Sequence, residues 1–175
     1  SPCHGTWNIV HIAMAVPGAH KIYVCGANCN RGVVLTAAEM QASDRYSTIT
    51  LFENDLIDGN MECLIIDGVT DIIRQLPKRP PPIFLFTVCV HRFMGLDLNY
   101  VYEELRSLFP DIIFVESYME PISQKDGLTP EQRLRDGMCS FLSRSDIESK
   151  NNKDVKTSVS IIGSDFKIDE DCEID

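Results

Sequence analysis

Seven cysteines, at positions 3, 25, 29, 63, 89, 139 and 172, are the residues of this 175-residue chain best suited to chemistry. Cys89 stands out among them. The apolar run Ile83–Val88 reads as a fully buried strand that stops at Cys89; His91, Arg92 and Gly95 follow, and Asp97 opens a helical pattern. This places a thiol at the carboxyl edge of a sheet, where open α/β folds bind ligands. Cys25 repeats the arrangement. A strand candidate, Lys21–Val24, runs into Cys25 and a small, polar turn reaching Gly32, and Val33–Gln41 then reads as helix. If the strands are parallel, both thiols share one edge. Cys3, just ahead of the first helical pattern, lies in a segment free to fold back over that edge.

Three thiols from three separated loops suit a metal cluster better than a lone nucleophile. Iron–sulfur clusters take thiolate ligands, usually four, so the remainder would come from a second chain, a His or Cys29. Two plainer readings stand beside this one. A buried Cys is commonly a small hydrophobe. A zinc module using Cys25, Cys29 and Cys89 is the other, although zinc favours a second closely spaced pair and Cys89-Val-His91 is a poor one. Of the other cysteines, Cys63 falls roughly 160° from Ile65 around its helix and reads as a packing or surface position. Cys139 reads as helix core, and Cys172 as a free thiol in an acidic tail. His11 and His20 read as structural. His4 and His91 adjoin candidate cysteines, and Arg31 and Arg92 each follow one closely, as charges that serve an anionic site or simply face solvent. No phosphate-binding Gly-x4-Gly-Lys loop, dinucleotide Gly-x-Gly-x-x-Gly or Gly-x-Ser-x-Gly elbow occurs, which counts against ATPase, simple dehydrogenase and serine hydrolase chemistry.

The elements that must position these residues alternate. Helical patterns cover Gly5–Val16, Met61–Leu76 (stripe Ile65, Val69, Ile72, Ile73, Leu76), Leu96–Phe109 (Leu98, Val101, Leu105, Leu108 inward) and Thr129–Leu142. Strand patterns cover Ser47–Leu51 and Ile112–Val115 besides those already named. Strands alternating with long helices imply an α/β fold: a doubly wound, mainly parallel, Rossmann-like sheet with helices on both faces, in three αβα layers. One domain is expected over residues 1–148. A polar linker follows at 149–157, and residues 158–175 read as a strand and acidic tail that begin a further domain lying beyond the chain. Net charge is −10, half of it from residues 165–175, and the pI of about 4.8 argues against nucleic acid. No secretory signal and no membrane-spanning run is visible, so a cytoplasmic, reducing setting is expected, where clustered Cys points to metal or redox chemistry.

The segment Phe86-Thr-Val-Cys89-Val-His-Arg-Phe-Met-Gly95-Leu-Asp97-Leu98 resembles the strand, Cys and Gly-Asp-Asp-like helix start of the nitrogenase component 1 superfamily. Ala19-His20 through Cys25-Gly26 resembles that family's His-Gly-Pro-x-Gly-Cys turn, and Cys3 falls where its first cluster cysteine is expected. The likeness covers most of residues 1–120 and extends toward Gly163. The turn departs from the family: Gly-Pro is absent, Lys21-Ile-Tyr-Val24 stands in its place, and Cys29 is additional. The resemblance implies an oxidoreductase domain in which Cys3, Cys25 and Cys89 hold a [4Fe-4S] or larger cluster shared at the interface of a homo- or hetero-oligomer. It further implies electrons supplied by an ATP-hydrolysing iron protein and passed to a substrate. A scaffold or small-molecule-binding domain that kept the fold and lost the cluster is the competing expectation.

Overall fold

Each of the four strands runs into a helix, and parallel neighbours can be joined only by such crossovers. The computed structural model describes residues 8–16, 18–78, 82–88, 90–119 and 130–144. Its strands are β1 (His20–Gly26), β2 (Tyr46–Leu51), β3 (Pro82–Val88) and β4 (Ile113–Met119), and its helices α1 (Asn8–Met14), α2 (Asn30–Glu39), α3 (Glu53–Asp58), α4 (Met61–Gln75), α5 (Val90–Met94), α6 (Leu98–Leu108) and α7 (Pro130–Arg144). All three pairings are parallel, in the order β2-β1-β3-β4. The α/β, Rossmann-like architecture is therefore the observed one.

Side-chain alternation divides the core into two layers. Ile22, Val24, Ile49, Leu51, Ile83, Leu85 and Phe114 pack with α4 and α6, while Tyr23, Cys25, Phe84, Phe86, Val88 and Val115 pack with α1, α2 and α7. The connection β1–α2–β2 runs outward over one face; β2–α4–β3 and β3–α6–β4 run back over the other. The chain thus reverses direction between β1 and β3, the place where open α/β sheets bind ligands, in the crevice outside the carboxyl ends of the strands.

Helix α4 buries Met61, Ile65, Val69 and Ile73, an i, i+4 row that lies flat on the sheet. Gly68 on the same helix lets it close on β2: a Cβ there would stand 2.8 Å from Ile49 Cδ1. Ala would gain about 1 kcal/mol of helix propensity but overpack at about 1–3 kcal/mol. Gly68→Ala is accordingly expected to destabilise by about 1 kcal/mol, and Ile49→Val, which removes that methyl, should reverse the sign in the double variant. Paired urea denaturation curves check it.

Several elements differ from their sequence patterns. Strand β1 begins at His20 and ends at Gly26, so Cys25 belongs to the ladder, opposite Thr50, and not to the turn. Helix α2 starts at Asn30, three residues before Val33. On α6 the inward face carries Tyr102, whose hydroxyl donates to the Leu85 carbonyl (3.1 Å), while Leu108 is 53% exposed in the last turn. Cys139 is exposed and not helix core, because α7 turns Leu134 onto the sheet. Cys63 is exposed, as its angle from the stripe implies. The short helices α3 and α5 carry too few residues for a periodic signal; both end on left-handed glycines, Gly59 (φ 68°) and Gly95 (φ 64°). The strand expected at Ser158–Gly163 and the linker before it lie outside the described residues. Among the described residues, no helix is long and apolar enough to cross a membrane.

Candidate functional site at the carboxyl edge

The register puts the ends of β1 and β3 side by side: Val24 pairs with Thr87, one position before Cys25 and Val88. The sequence expected Cys25 and Cys89 at one sheet edge. Cys25 is there. Strand β3 stops at Val88 and α5 starts at Val90; Cys89 itself, like Cys3 and His4, lies outside the described residues.

Cys25 is 1% exposed, on the face covered by α1 and α2. Burial, then the nearby Cys29 thiol, push its thiol up to about 11. Burial in an apolar site disfavours thiolate, so the neutral thiol is the favoured form of Cys25. A metal would invert that balance, since coordination deprotonates a thiol. Of Cys3, Cys25 and Cys89, Cys25 alone lies among the described residues, in the apolar layer at this edge. Cys29 differs in every respect. It is exposed, precedes α2 as its N-cap residue without a side-chain cap, and its N–H donates to the Gly26 carbonyl (2.9 Å), closing the turn. No group of three or more metal-ligating side chains assembles among the described residues. A zinc set of Cys25, Cys29 and Cys89 would have to join one buried and one exposed sulfur.

On the β3 side, His91 Nδ1 donates to the Val88 carbonyl at 2.7 Å, which fixes a proton on Nδ1. Its ring packs against Tyr118, centroids 5.6 Å apart. Tyr118 donates to Glu116 (3.0 Å), which also receives Arg106 (3.1 Å), so α5 rests on β4 through the ring contact and a short polar chain ties β4 to α6. Arg92 and Arg31 lie on exposed positions of α5 and α2.

His20 sits at the opposite, amino end of β1, bonded through Nε2 to Ser47 Oγ (2.8 Å). Beside it Lys21 is fully buried, with Nζ donating to the Ala19 (2.7 Å) and Val16 (3.2 Å) carbonyls. The buried ammonium thus satisfies two carbonyls of the connection between α1 and β1. Arg45 Nη1 joins it at Val16 (3.2 Å).

Two hydroxyls near the edge went unmarked in the sequence. Tyr23 and Thr87 are 0% and 1% exposed, and neither hydroxyl has a hydrogen-bond partner among the described residues. Burial, then Cys25, push the Tyr23 phenol up. Strand alternation alone would have put Tyr23 on the Cys25 face; its missing partner is visible only in three dimensions. Outside the crevice, Phe52 after β2 and Phe93 and Met94 on α5 are 64%, 71% and 44% exposed. No protein-family model matches the chain, and no curated protein matches it.

Proposed function

We propose that the chain is the iron–sulfur-binding domain of a nitrogenase-like reductase, with Cys25, Cys89 and Cys3 as its thiolate ligands. The observation that carries this reading is the adjacency of β1 and β3 at the crevice, which sets Cys25 beside the end of the strand that leads into Cys89. When bound, the cluster supplies one-electron transfer at a potential tuned by its hydrogen bonds and exposure. The chain's own part is to hold sulfur donors at a dry sheet edge and exclude water from Cys25. The exposed Phe52, Phe93 and Met94 around that edge support a partner surface, either a second subunit sharing the cluster or the ATP-hydrolysing iron protein that donates electrons, in a cytoplasmic setting.

A second reading has an observation of its own. The complete burial of Cys25 suits a domain that kept the fold as a scaffold or binding module without a cluster.

Anaerobic reconstitution with ferrous iron and sulfide, followed by analysis for iron, sulfide and zinc, separates these readings. The cluster reading expects iron and sulfide in the wild-type chain and loss of most of both in Cys25→Ala and Cys89→Ala, at unchanged far-ultraviolet circular dichroism. Retention of iron in Cys89→Ala would sink it. Zinc at one equivalent would favour the zinc module, and no metal at all the scaffold.

A further inference from the structure

Eight large apolar side chains are exposed among the described residues, and four of them, Phe52, Ile57, Phe93 and Met94, lie at the carboxyl edge, where α3 follows β2 and α5 follows β3. Ile57 is the most exposed of all, at 80%. It lies on α3, with Phe52 as the N-cap residue; that helix carries Glu53 and Asp55 in its first turn and no base. Phe93 and Met94 lie on α5, which carries His91 and Arg92 and no acid. The order β2-β1-β3 sets these two lobes on either side of the end of β1, about 10 Å apart at the usual strand spacing. Clustered exposed apolar side chains of this kind mark an interaction surface, and the charges say with what. A partner of one charge sign would be drawn to one lobe and repelled by the other. A second copy, turned about a two-fold axis, presents the opposite lobe to each.

We propose that this edge docks a second copy of the chain about a two-fold axis near the end of β1, with α3 of each copy against α5 of the other. The inference rests on the partner surface put forward above and names its occupant. Phe52 and Ile57 then meet Phe93 and Met94, which buries apolar area within each contact. Asp55 already accepts from the Phe52 N–H (2.7 Å), so Glu53 is the acid of α3 that faces Arg92 of the second copy and fixes the register. The contact is isologous: it closes at two copies, and each pair is made twice.

The test is sedimentation of the iron-free, full-length chain over a range of concentrations. The wild type is expected to be a dimer in equilibrium with monomer. Arg92→Glu and Glu53→Lys are each expected to weaken dimerisation about tenfold, since two like-charge contacts then form per dimer, and the double variant is expected to restore it. Ile57→Ser should shift the equilibrium toward monomer, whereas Leu108→Ser, at an exposed site in the last turn of α6 by the other end of the sheet, should leave it unchanged. Far-ultraviolet circular dichroism checks that every variant folds. A wild-type chain that sediments as a monomer at every concentration would overturn the proposal, as would a dimer that Ile57→Ser and both charge reversals leave intact. Failure of the double variant to regain the dimer would rule out the pairing of α3 with α5. A monomer that takes up iron and sulfide on reconstitution would remove this inference alone, and a dimer that takes up neither would remove the cluster reading alone.

Discussion

Phe86→Ala is expected to destabilise the chain by about 3–5 kcal/mol, the range for removing a buried aromatic side chain from a core. Phe86 is 0% exposed on β3, a central strand of the sheet. Its ring stacks on Tyr23 at 4.6 Å and on Phe84 at 6.5 Å. Offset aromatic pairs add about 0.5–1.5 kcal/mol beyond their buried area. Strands β1 and β4 flank Phe86 on both sides, so the cavity has little freedom to collapse. Against a typical stability of about 5–15 kcal/mol, that loss would leave a marginal fold. Urea denaturation should show a lowered midpoint with an unchanged slope, and Phe86→Leu should recover much of the difference. A cost below about 1 kcal/mol would mean that the two central strands are not packed as described.

The second large effect is on acid stability. Burial first, then the Lys21 charge, hold the His20 imidazole down at about 4, with Asp44 opposing. The imidazole is thus depressed relative to an unfolded value near 6.5. Above that value both states are neutral and the fold keeps its full stability. As pH falls below it, the unfolded chain takes up a proton that folded His20 refuses, and stability drops until pH reaches about 4. The total is about 2–3 kcal/mol once partial solvation of the site is discounted. His20→Gln keeps a polar partner for Ser47 without a titrating ring. The difference between the wild-type and variant stability profiles should therefore open between pH 6.5 and 4 and stay level above 7. A flat difference profile across that range would show that His20 charges freely in the folded chain.

Residues with a strong local signal were legible in advance. The apolar rows of α4 and most of α6, and the unbroken run Ile83–Val88, follow from periodicities of 3.6 and 2 that need no tertiary information. The exposure of Cys63 follows from its angle around α4 in the same way. Signals fail where local and tertiary preferences compete. Leu108 fits the apolar spacing of α6, but the last turn of that helix carries it away from the sheet, and Tyr102 is buried instead because its hydroxyl reaches the Leu85 carbonyl. Cys139 fits a core position on α7, yet only one side of that helix meets β4 and α1.

Composition and pattern by themselves determined that this chain forms an α/β sheet with parallel strands, because alternating strands and helices leave no other short connection. They also determined that Cys25 and Cys89 stand at, or directly after, the carboxyl ends of strands. Strand order was left to the tertiary structure: only the crossing of β2 over to the far side of β1 makes β1 and β3 neighbours and sets two separate strand ends side by side. Burial was likewise decided there. Cys25 and Cys29 are four residues apart and chemically identical, yet one is sealed beneath α1 and α2 and the other faces solvent. The hydroxyl of Tyr23, unpaired among the described residues, belongs to the same category, since a hydrogen-bond partner is a matter of position in space, which no spacing along the chain specifies.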